Sequence, residues 1–475
     1  MRMIKQNYRR EMAHAGPTRA QLDRLWRTMD DPARPRPPRG RTVLAAVLAA
    51  ALLTTVALAY SLGVFDFLRG REEYRLLGQA EVYEQYAREV NLTATAENGD
   101  VLTIDRVAMD GKFCTVFYSV NSAAPMEAWS ERDGSISAKA PDLWQARRLS
   151  PVFSLYAGKE RLAAGRYDSG QQYLTDAQTL YGEARLLLDR PPVEGEALEL
   201  RAAPSWTEGE ESGGPAAEGT EMPVKWSVPL TAHLVKSERL AQGQKFFLWG
   251  QSRNFERLEV LSLDRSPLGT LLTIRETLPE GYWEDDSLQT TPQFALRDGD
   301  TGAYIPYGKL NNGREGAGPY RTDVYELYGD VSGLKNLEIV PVRRNFAGGA
   351  PRVVVDADDL PVGQGNPDGG YVLTDCAVGD GRIVLTWRPE GAVINVSQCV
   401  HPVDLLDGAG NRLFVGDGAP EAYRDSFINR ADGSVTVIET GVDLPEGYLE
   451  RLAQLAFWPE RYELLPEKAV TIALK

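Results

Sequence analysis

An uncharged, apolar stretch near the N-terminus constrains this chain more than any other feature. No charged residue occurs between Arg41 and Asp66, and residues 42–62 read TVLAAVLAAALLTTVALAYSL. As a helix, the uncharged positions reach about 36 Å, which is enough to cross a hydrocarbon core of ~30 Å. The Leu and Val residues of the stretch contribute an insertion free energy of about −3 to −5 kcal/mol. The stretch therefore predicts one transmembrane helix. A buried core helix is the weaker alternative, because such helices are usually shorter and carry a polar stripe.

The charges on either side of this stretch predict which way it crosses the membrane. Residues 1–41 contain 11 Lys and Arg against four Asp and Glu, whereas acidic and basic residues are mixed just beyond residue 62. The positive-inside rule therefore places residues 1–41 in the cytoplasm and the long C-terminal part outside the cell membrane. A cleaved secretory signal is the alternative, since Ala57-Leu58-Ala59 resembles a cleavage site. The apolar run, however, is longer than the usual run of roughly 7–15 residues.

Composition limits the chemistry that the exterior can carry. The whole chain has a net charge of −15, and the part after residue 41 is more acidic still because residues 1–41 are cationic. An acidic exterior argues against nucleic-acid binding. With three histidines and no CxxC or HExxH spacing, the sequence predicts no metal site, no cofactor and no catalytic residue. Cys376 and Cys399 fall in one predicted domain, where they either form a disulfide or remain free thiols.

A short amphipathic helix is predicted before the membrane. Thr18 begins it with the capping-box spacing to Gln21. Its apolar residues recur at the spacing of one helix face and its basic residues flank them: Leu22, Leu25, Trp26 and Met29, with Arg19, Arg24 and Arg27. Barely three turns of helix are not stable alone in water. The stripe therefore needs either the lipid head groups of the inner leaflet or a groove on a cytoplasmic protein. Residues 30–41 follow as an extended Pro/Arg linker.

The exterior shows a weak internal repeat. Good helix formers over residues 72–89 predict a short stalk helix, and strand patterns replace it from residue 91. Three segments can then be aligned without gaps, each a strand, a turn with a glycine and a second strand. They are residues 101–120 with Gly111, residues 258–277 with Gly269 and residues 371–390 with Gly381.

Two further elements follow each copy of this hairpin. The first is an apolar strand, a Gly-containing turn and a returning strand, over residues 151–162, 292–305 and 401–413. The second is a single apolar strand, at residues 198–200, 337–340 and 455–458. Strand-rich units with turn signals at roughly every 8–12 residues are typical of tandem immunoglobulin-like β-sandwiches.

The predicted fold class is therefore mainly β, with a short helical cytoplasmic N-terminus and a single transmembrane helix followed by tandem immunoglobulin-like β-sandwich domains. The predicted bounds are 1–41 for the cytoplasmic helix and linker, 42–62 for the transmembrane helix, 63–90 for the juxtamembrane stalk helix, and 91–236, 237–360 and 361–475 for the three sandwiches. Residues 297–302 and 404–411 superficially resemble calcium loops. They lack the acidic spacing of an EF-hand and are expected to be hairpin turns.

Two stretches of the exterior carry a resemblance to a known family. Residues 83–120 read YEQYAREVNLTATAENGDVLTIDRVAMDGKFCTVFYSV, and residues 258–274 carry SPLGT at their turn. Both resemble the extracytoplasmic domains of membrane-anchored sigma-factor regulators of Gram-positive bacteria. The resemblance implies a cytoplasmic segment that binds a sigma factor. The cytoplasmic part lacks the His-and-Cys zinc signature of one large anti-sigma class, so binding of a sigma factor is implied by architecture alone.

These features favour an anti-sigma-like membrane regulator. In that hypothesis the apolar stripe of the cytoplasmic helix enters a groove of the sigma factor, and its arginines meet acidic charges at the rim. The alternative is an envelope binding or adhesion protein whose sandwiches hold a ligand. An enzyme is the least favoured function, because the sequence has no convergent polar motif. Small residues such as Ala45 and Ala49 also allow the predicted transmembrane helix to self-associate.

Overall fold

The described strands all lie in the part of the chain that follows the predicted transmembrane stretch. A computed structural model describes residues 63–123, 151–164, 172–174, 178–204, 224–249, 256–278, 293–314, 319–344, 352–363, 368–396, 403–416, 419–420, 422–441, 444–458 and 462–475. In these ranges the protein is mainly β, and they belong to one compact unit, Gly63–Lys475. The described helices are all too short or too polar to span a bilayer. The predicted cytoplasmic helix with its seven partner-binding residues, and the predicted transmembrane helix, lie outside the described ranges.

Three short helices occupy the segment for which one stalk helix is predicted. They are α1 (Val64–Gly70), α2 (Glu72–Arg75) and α3 (Ala80–Tyr86). Arg71, between the first two, has extended backbone angles. Gly78, between the last two, has a φ of 67°, a left-handed conformation that glycine adopts without strain and that stops a helix. The helix formers of this region thus produce separate short helices instead of the predicted single one.

The first sandwich consists of two antiparallel sheets. Its strands are β1 (Arg88–Thr95), β2 (Val101–Met109), β3 (Phe113–Asn121), β4 (Pro151–Ala157), β5 (Glu160–Ala164), β6 (Gln172–Leu174), β7 (Thr179–Leu187), β8 (Ala197–Pro204) and β9 (Trp226–Thr231). One sheet has the order β1-β2-β3-β7-β6 and the other the order β5-β4-β8-β9. Buried side chains of both sheets, Tyr118 and Trp226 among them, form the core between them.

The second sandwich repeats this arrangement. Its strands are β10 (Glu238–Ala241), β11 (Gln244–Leu248), β12 (Glu256–Ser266), β13 (Gly269–Thr277), β14 (Phe294–Asp298), β15 (Tyr304–Ile305), β16 (Tyr307–Arg314), β17 (Tyr320–Leu327) and β18 (Asn336–Arg344). The order is β10-β12-β13-β17-β16 in one sheet, where β11 also pairs with β12, and β15-β14-β18 in the other.

The third sandwich has the same order of hairpins. Its strands are β19 (Val353–Asp356), β20 (Val362–Gly363), β21 (Gly369–Gly379), β22 (Arg382–Gly391), β23 (Asp404–Asp407), β24 (Ala422–Ile428), β25 (Val435–Gly441) and β26 (Leu452–Phe457). One sheet has the order β20-β21-β22-β25-β24 and the other the order β19-β26-β23. Trp387 and Phe457 meet edge to face in the core between them.

The strand pairing confirms the predicted repeat. The three aligned segments form the hairpins β2–β3, β12–β13 and β21–β22. The second predicted elements begin with β4, β14 and β23. The third predicted elements lie in β8, β18 and β26. In each sandwich the second element pairs with the third. One topology is therefore built three times, and the alternation that predicts the individual strands also predicts which of them are partners.

The second and third sandwiches exchange their closing strands. In the first sandwich β9 pairs with β8, the strand that precedes it. The strand after β18 is β19, but it pairs with β26 of the third sandwich. The open edge of β18 is instead covered by β27 (Tyr462–Leu464) and β28 (Val470–Ala473), which follow β26. A boundary at residue 360 therefore does not separate the strands of the two sandwiches.

The described cysteines are free thiols. Cys114 is buried in the core of the first sandwich, and burial raises the pKa of its thiol to about 12. Cys376 is half-buried, and burial raises its pKa to about 11. Its proposed partner in the disulfide alternative, Cys399, lies outside the described ranges.

We expect Gly182→Ala to destabilise the first sandwich. Gly182 pairs with Tyr118 across β7 and β3, and an added Cβ would lie 2.6 Å from the Tyr118 ring. Overpacking of this kind costs typically about 1–3 kcal/mol, which a lower urea midpoint for unfolding would report. Gly363→Ala is the control, because a Cβ at this strand glycine would lie an ordinary 3.7 Å from Val372. Equal midpoints for the two variants would contradict the expectation.

We also expect that removal of residues 459–475 loosens the second sandwich, although the deletion lies more than 100 positions beyond most of its strands. The deletion uncovers β18 and removes Leu464 and Ile472, which are 7% and 1% exposed. Each such side chain contributes about 1.5–3 kcal/mol when buried. Limited proteolysis should then cut faster within residues 256–344. A control that lacks only residues 474–475 keeps β28 and loses two backbone hydrogen bonds, from Leu474 to Lys335 and from Lys475 to Leu240. It should be cut at a rate much closer to that of the parent, and equal rates for all three proteins would contradict the exchange.

Candidate functional site

The helices α1, α2 and α3 pack against the outer face of the β1-β2-β3-β7-β6 sheet. Phe65 of α1 and Tyr83 of α3 meet the ring of Phe117 edge to face, with centroids 5.1 and 5.2 Å away. The Tyr83 hydroxyl lies 3.2 Å from Thr115 Oγ1. Both faces of β3 are therefore buried, one by the core and one by these helices. The segment that follows the predicted membrane stretch is part of the folded unit rather than a separate stalk.

A carboxylate of β2 holds the first turn of α1. The backbone N–H of Phe65 donates to Asp105 Oδ2 over 3.2 Å, and the Arg106 guanidinium lies 5.0 Å from the centre of the Phe65 ring. The free amides at a helix N-terminus favour a carboxylate in this position. Burial raises the pKa of Asp105, while the bond from Phe65 opposes that rise. The beginning of α1 is thus fixed to the first sandwich.

The turn of the β12–β13 hairpin inserts into the apolar cluster around the helices. Leu268 is fully buried there. Its carbonyl accepts hydrogen bonds from Arg185 Nη2 over 2.9 Å and from Gln79 Nε2 over 3.5 Å. At the next position, Gly269, an added Cβ would lie 2.9 Å from Glu326 Oε1 and 3.0 Å from Arg185 Nη2. Glycine at the turn therefore leaves room for an ion pair beside it.

That ion pair joins the first sandwich to the second. Arg185 of β7 donates from Nη1 and Nη2 to the two carboxylate oxygens of Glu326 in β17, over 2.9 and 2.7 Å. Each side chain is 1% exposed. The Arg185 guanidinium also lies 3.4 Å from the centre of the Phe113 ring. Burial and the neighbouring Arg430 lower the pKa of Arg185, but the Glu326 carboxylate outweighs both, so the pKa is raised and the guanidinium stays charged.

Arg430 brings the third sandwich into the same cluster. It follows β24, and its Nε lies 3.5 Å from Glu326 Oε2. Its Nη1 donates to Gln79 Oε1 over 3.0 Å. Its backbone N–H donates to the Leu77 carbonyl and its carbonyl accepts from the Gly329 N–H, both over 3.1 Å. One residue thus contacts the helical segment and the second sandwich together.

A second contact ties α2 to the third sandwich. Arg382, the first residue of β22, donates to Glu72 over 3.0 Å and to Glu73 over 3.3 Å. Both bonds lie near the surface, so each contributes less than a buried pair. They place the turn of the β21–β22 hairpin beside α2, in the same way that the β12–β13 turn lies beside α3 and α1.

We refer to Gln79, Arg185, Leu268, Glu326 and Arg430 as the junction. Its members come from the helical segment and from all three sandwiches, and each makes a hydrogen bond or ion pair to another member. If one charged member moves away, it leaves a buried charge without its partner, which costs several kcal/mol. Such an arrangement is suited to hold the helical segment and the three sandwiches in one fixed geometry. The junction is our candidate functional site, because it is one buried cluster that joins four parts of the fold.

A second group of buried charges lies on the inner face of the second sandwich. Arg321 pairs with Glu276 over 2.6 Å and with Asp323 over 3.4 Å, and Lys309 pairs with Asp323 over 3.0 Å. Burial lowers the pKa of Lys309, while Asp323 opposes that effect. The backbone N–H of Lys309 donates to Asn395 of the third sandwich over 3.3 Å. The group is an internally paired network that also joins two sandwiches.

The two calcium-like segments are hairpin turns, as predicted. Asp298 Oδ1 accepts the Asp300 N–H over 2.9 Å. Asp407 Oδ1 accepts the N–H groups of Ala409 and Asn411, each over 2.9 Å. The hydrogen bond from the Asn411 backbone N–H, followed by the one from the Arg451 side chain, lowers the pKa of Asp407 to about 2. Within the described ranges, His, Cys, Asp and Glu side chains form no group that could hold a metal ion.

The sequence predicts none of the junction's polar members. All seven predicted partner-binding residues, from Arg19 to Met29, lie outside the described ranges. The junction has one sequence signal, the glycine of the second aligned hairpin, Gly269. Arg185 and Glu326 are 141 positions apart, and neither belongs to a motif.

Comparisons with known proteins add little to this geometry. No family model and no curated protein matches the sequence. Among solved structures, the chain is similar to one described as the conserved domain protein from Bacillus anthracis, with 15% sequence identity and a TM-score of 0.36. The match covers 58% of this chain and 83% of that chain.

We expect Glu326→Gln to destabilise the protein by about 3–5 kcal/mol, because it leaves the buried charge of Arg185 without its counter-charge. The double variant Arg185→Met with Glu326→Leu should lose less than the single variant, since the charge of Arg185 is then removed together with its counter-charge. Urea unfolding followed by intrinsic fluorescence measures both effects. Glu463→Gln is the control, because its pair with Arg343 is about half exposed and is worth about 0–1 kcal/mol. Equal losses from Glu326→Gln and Glu463→Gln would contradict a special role for the junction.

Proposed function

We propose that this protein is a single-pass membrane regulator of the anti-sigma type. Residues 63–475 form its extracytoplasmic sensor region, built from immunoglobulin-like sandwiches. Residues 42–62 cross the membrane. Residues 1–41 bind a cytoplasmic sigma factor and hold it inactive. The charge asymmetry of the sequence and its resemblance to membrane-anchored sigma-factor regulators support this proposal.

One structural observation supports it most directly. The helices α1 to α3 follow the predicted membrane stretch without a linker, and they are held by all three sandwiches. The first sandwich binds them through Phe117 and Asp105, the second through Leu268, and the third through Arg430 and Arg382. A segment beside the membrane stretch with attachments to every sandwich is suited to transmit a change in the sandwiches to that stretch.

The coupling in this proposal works through shared contacts. A signal that shifts one sandwich against another acts on the contacts that join them, by separating Arg185 from Glu326 or Arg430 from Glu326. Either change removes support from the helices, which are too short to persist alone. A signal can shift this equilibrium only by as much as it binds the two arrangements differently. The expected consequence is a change in the chain at the outer end of the membrane stretch, and thereby in the availability of residues 1–41.

The cytoplasmic segment is the part of this proposal that can be tested most simply. Residues 1–41, fused to a carrier, should retain a sigma factor from a lysate of the source cell, because Trp26 and its neighbours on the stripe enter a hydrophobic groove of that partner. Trp26→Ala should reduce retention at least about tenfold, which corresponds to the loss of about 1.4 kcal/mol. Tyr8→Ala is the control, since Tyr8 is an aromatic residue outside the predicted helix.

Two results would contradict the proposal. Retention of no sigma factor would leave the envelope binding function, in which the N-terminal segment is only an anchor. Retention that Trp26→Ala leaves unchanged would show that the apolar stripe is not the binding surface.

A further inference from the structure

The three sandwiches differ at one edge of the sheet that contains the third repeated element. In the first sandwich this edge is β9, in which Pro229 lies opposite Glu199, the second residue of the element. In the second sandwich β27 and β28 cover the element itself, β18. In the third sandwich the edge is β19, in which Val354 lies opposite Ala456, again the second residue of the element. Within the described ranges, β19 pairs with β26 and with no further strand.

A proline protects the edge of β9, and β19 has no such protection. The Ala232 N–H donates to the Glu196 carbonyl over 2.9 Å. Because bonding alternates along an antiparallel strand, Pro229 faces the outer edge, where its missing N–H prevents another strand from pairing. The equivalent position of β19 is Val354, whose side chain is 46% exposed. The strand contains neither proline nor lysine, and its register is regular.

The main-chain groups of Val354 face the open side of β19. The Ala357 N–H donates to the Ala453 carbonyl over 2.9 Å, which continues the ladder between β19 and β26. By the same alternation, the N–H and C=O groups of Val354 and the N–H of Asp356 point away from β26. The outer edge of β19 therefore presents main-chain donors and an acceptor in the arrangement that a further antiparallel strand requires.

The charges at the two ends of this strand are opposite. Arg352 directly precedes β19 and Asp356 ends it, each two positions from Val354, and all three side chains are exposed. Side chains two positions apart share one face of a strand. In an antiparallel pair centred on Val354, Arg352 of one copy lies opposite Asp356 of the other, at both ends. The strand is therefore complementary to itself, as a two-fold interface requires.

Both charged side chains have contacts within their own chain that leave room for this pairing. Arg352 Nη2 donates to Asp404 over 2.8 Å, and the guanidinium lies 5.3 Å from the centre of the Trp458 ring. Asp356 Oδ1 accepts from Gln454 Nε2 over 3.1 Å. A guanidinium has five N–H donors and a carboxylate has about four acceptor sites. The contacts thus hold both groups beside the edge without using all their hydrogen-bonding capacity.

We propose that β19 pairs with β19 of a second copy of this chain, antiparallel and about a two-fold axis at Val354. Each Val354 donates to and accepts from its counterpart, and the Asp356 N–H of each copy donates to the Arg352 carbonyl of the other. The β19-β26-β23 sheets of the two copies become one continuous sheet. The inference is independent of the proposed function, since an envelope binding protein could form the same dimer.

A cysteine at the proposed axis tests the pairing on the full-length protein. Hydrogen-bonded residues of antiparallel strands have Cα atoms about 5.5 Å apart, a distance that a disulfide spans. Val354→Cys should therefore form a covalent dimer under mild oxidation, measured on non-reducing gels. Val193→Cys is the control, because Val193 is more exposed, at 67%, but lies outside β19. Equal dimer yields for the two variants, or cross-linking of Val354→Cys in cells to a different protein instead of itself, would overturn the proposal.

Two charge reversals test the register of the pair. Asp356→Lys places like charges opposite each other at both ends, and so does Arg352→Glu. Each reversal, added to Val354→Cys, should give about tenfold less dimer at equal protein concentration. A mixture of the two proteins has opposite charges at both ends and should recover the yield, which damage to the fold would not allow. Asp358→Lys, in the exposed turn after β19, is the matched control and should leave the yield unchanged. A mixture that stays at the low yield would overturn the register.

A proline at the axis tests the main-chain bonds. Val354→Pro gives β19 the residue that β9 carries at the equivalent position, and it removes no bond to β26 because the Val354 N–H faces the other way. Amide hydrogen exchange in residues 353–357 should slow as the concentration of the parent protein is raised, and it should not depend on concentration in Val354→Pro. Exchange that is independent of concentration in the parent protein as well would overturn the proposal.

Discussion

The arrangement of this protein depends on one buried ion pair, between Arg185 and Glu326. Removing two charges from water is costly, and their attraction offsets that cost only when the geometry is good and the remaining hydrogen-bonding groups are satisfied. The geometry is good here, because the pair is bidentate and Arg185 Nη2 also donates to the Leu268 carbonyl. The apolar contact around it is small, consisting mainly of Phe113, Leu187, Leu271 and Val324. The bidentate pair and the apolar contacts around it, including Leu268, together fix how the first sandwich meets the second.

The second and third sandwiches are joined in a different way from the first and second, by the exchange of their closing strands. Each of them receives a strand from the chain segment that follows the other, so two connections cross between them instead of one. A pair of crossing connections restricts rotation between two bodies more than a single linker does. The first sandwich has no such exchange, because β8 and β9 are its own. The first sandwich is thus joined to the other two without an exchange of strands, through contacts that include the Arg185 pair.

Local patterns predict much of this fold, and contacts between distant residues account for what they miss. Alternating side chains and turn glycines predict the three hairpins and their partner strands because both signals operate within about 20 residues. Phe117 shows where such patterns fail. It alternates with core residues in β3, as a residue on a second face should, but helices that the local sequence cannot place cover that face. Likewise, nothing near Glu326 indicates that its carboxylate will meet an arginine 141 positions earlier.

The shortness of the membrane-proximal helices is itself an argument for coupling. The helices α1, α2 and α3 contain seven, four and seven residues, and isolated helices below about 12–15 residues are marginal in water. Their structure therefore exists only while the sandwiches surround them. A long helix that is stable alone would keep its conformation when the sandwiches move, and it would transmit only the change in their position. A segment that folds only within the junction changes its conformation when the junction opens. In our proposal that is the difference between a rigid support and a switch.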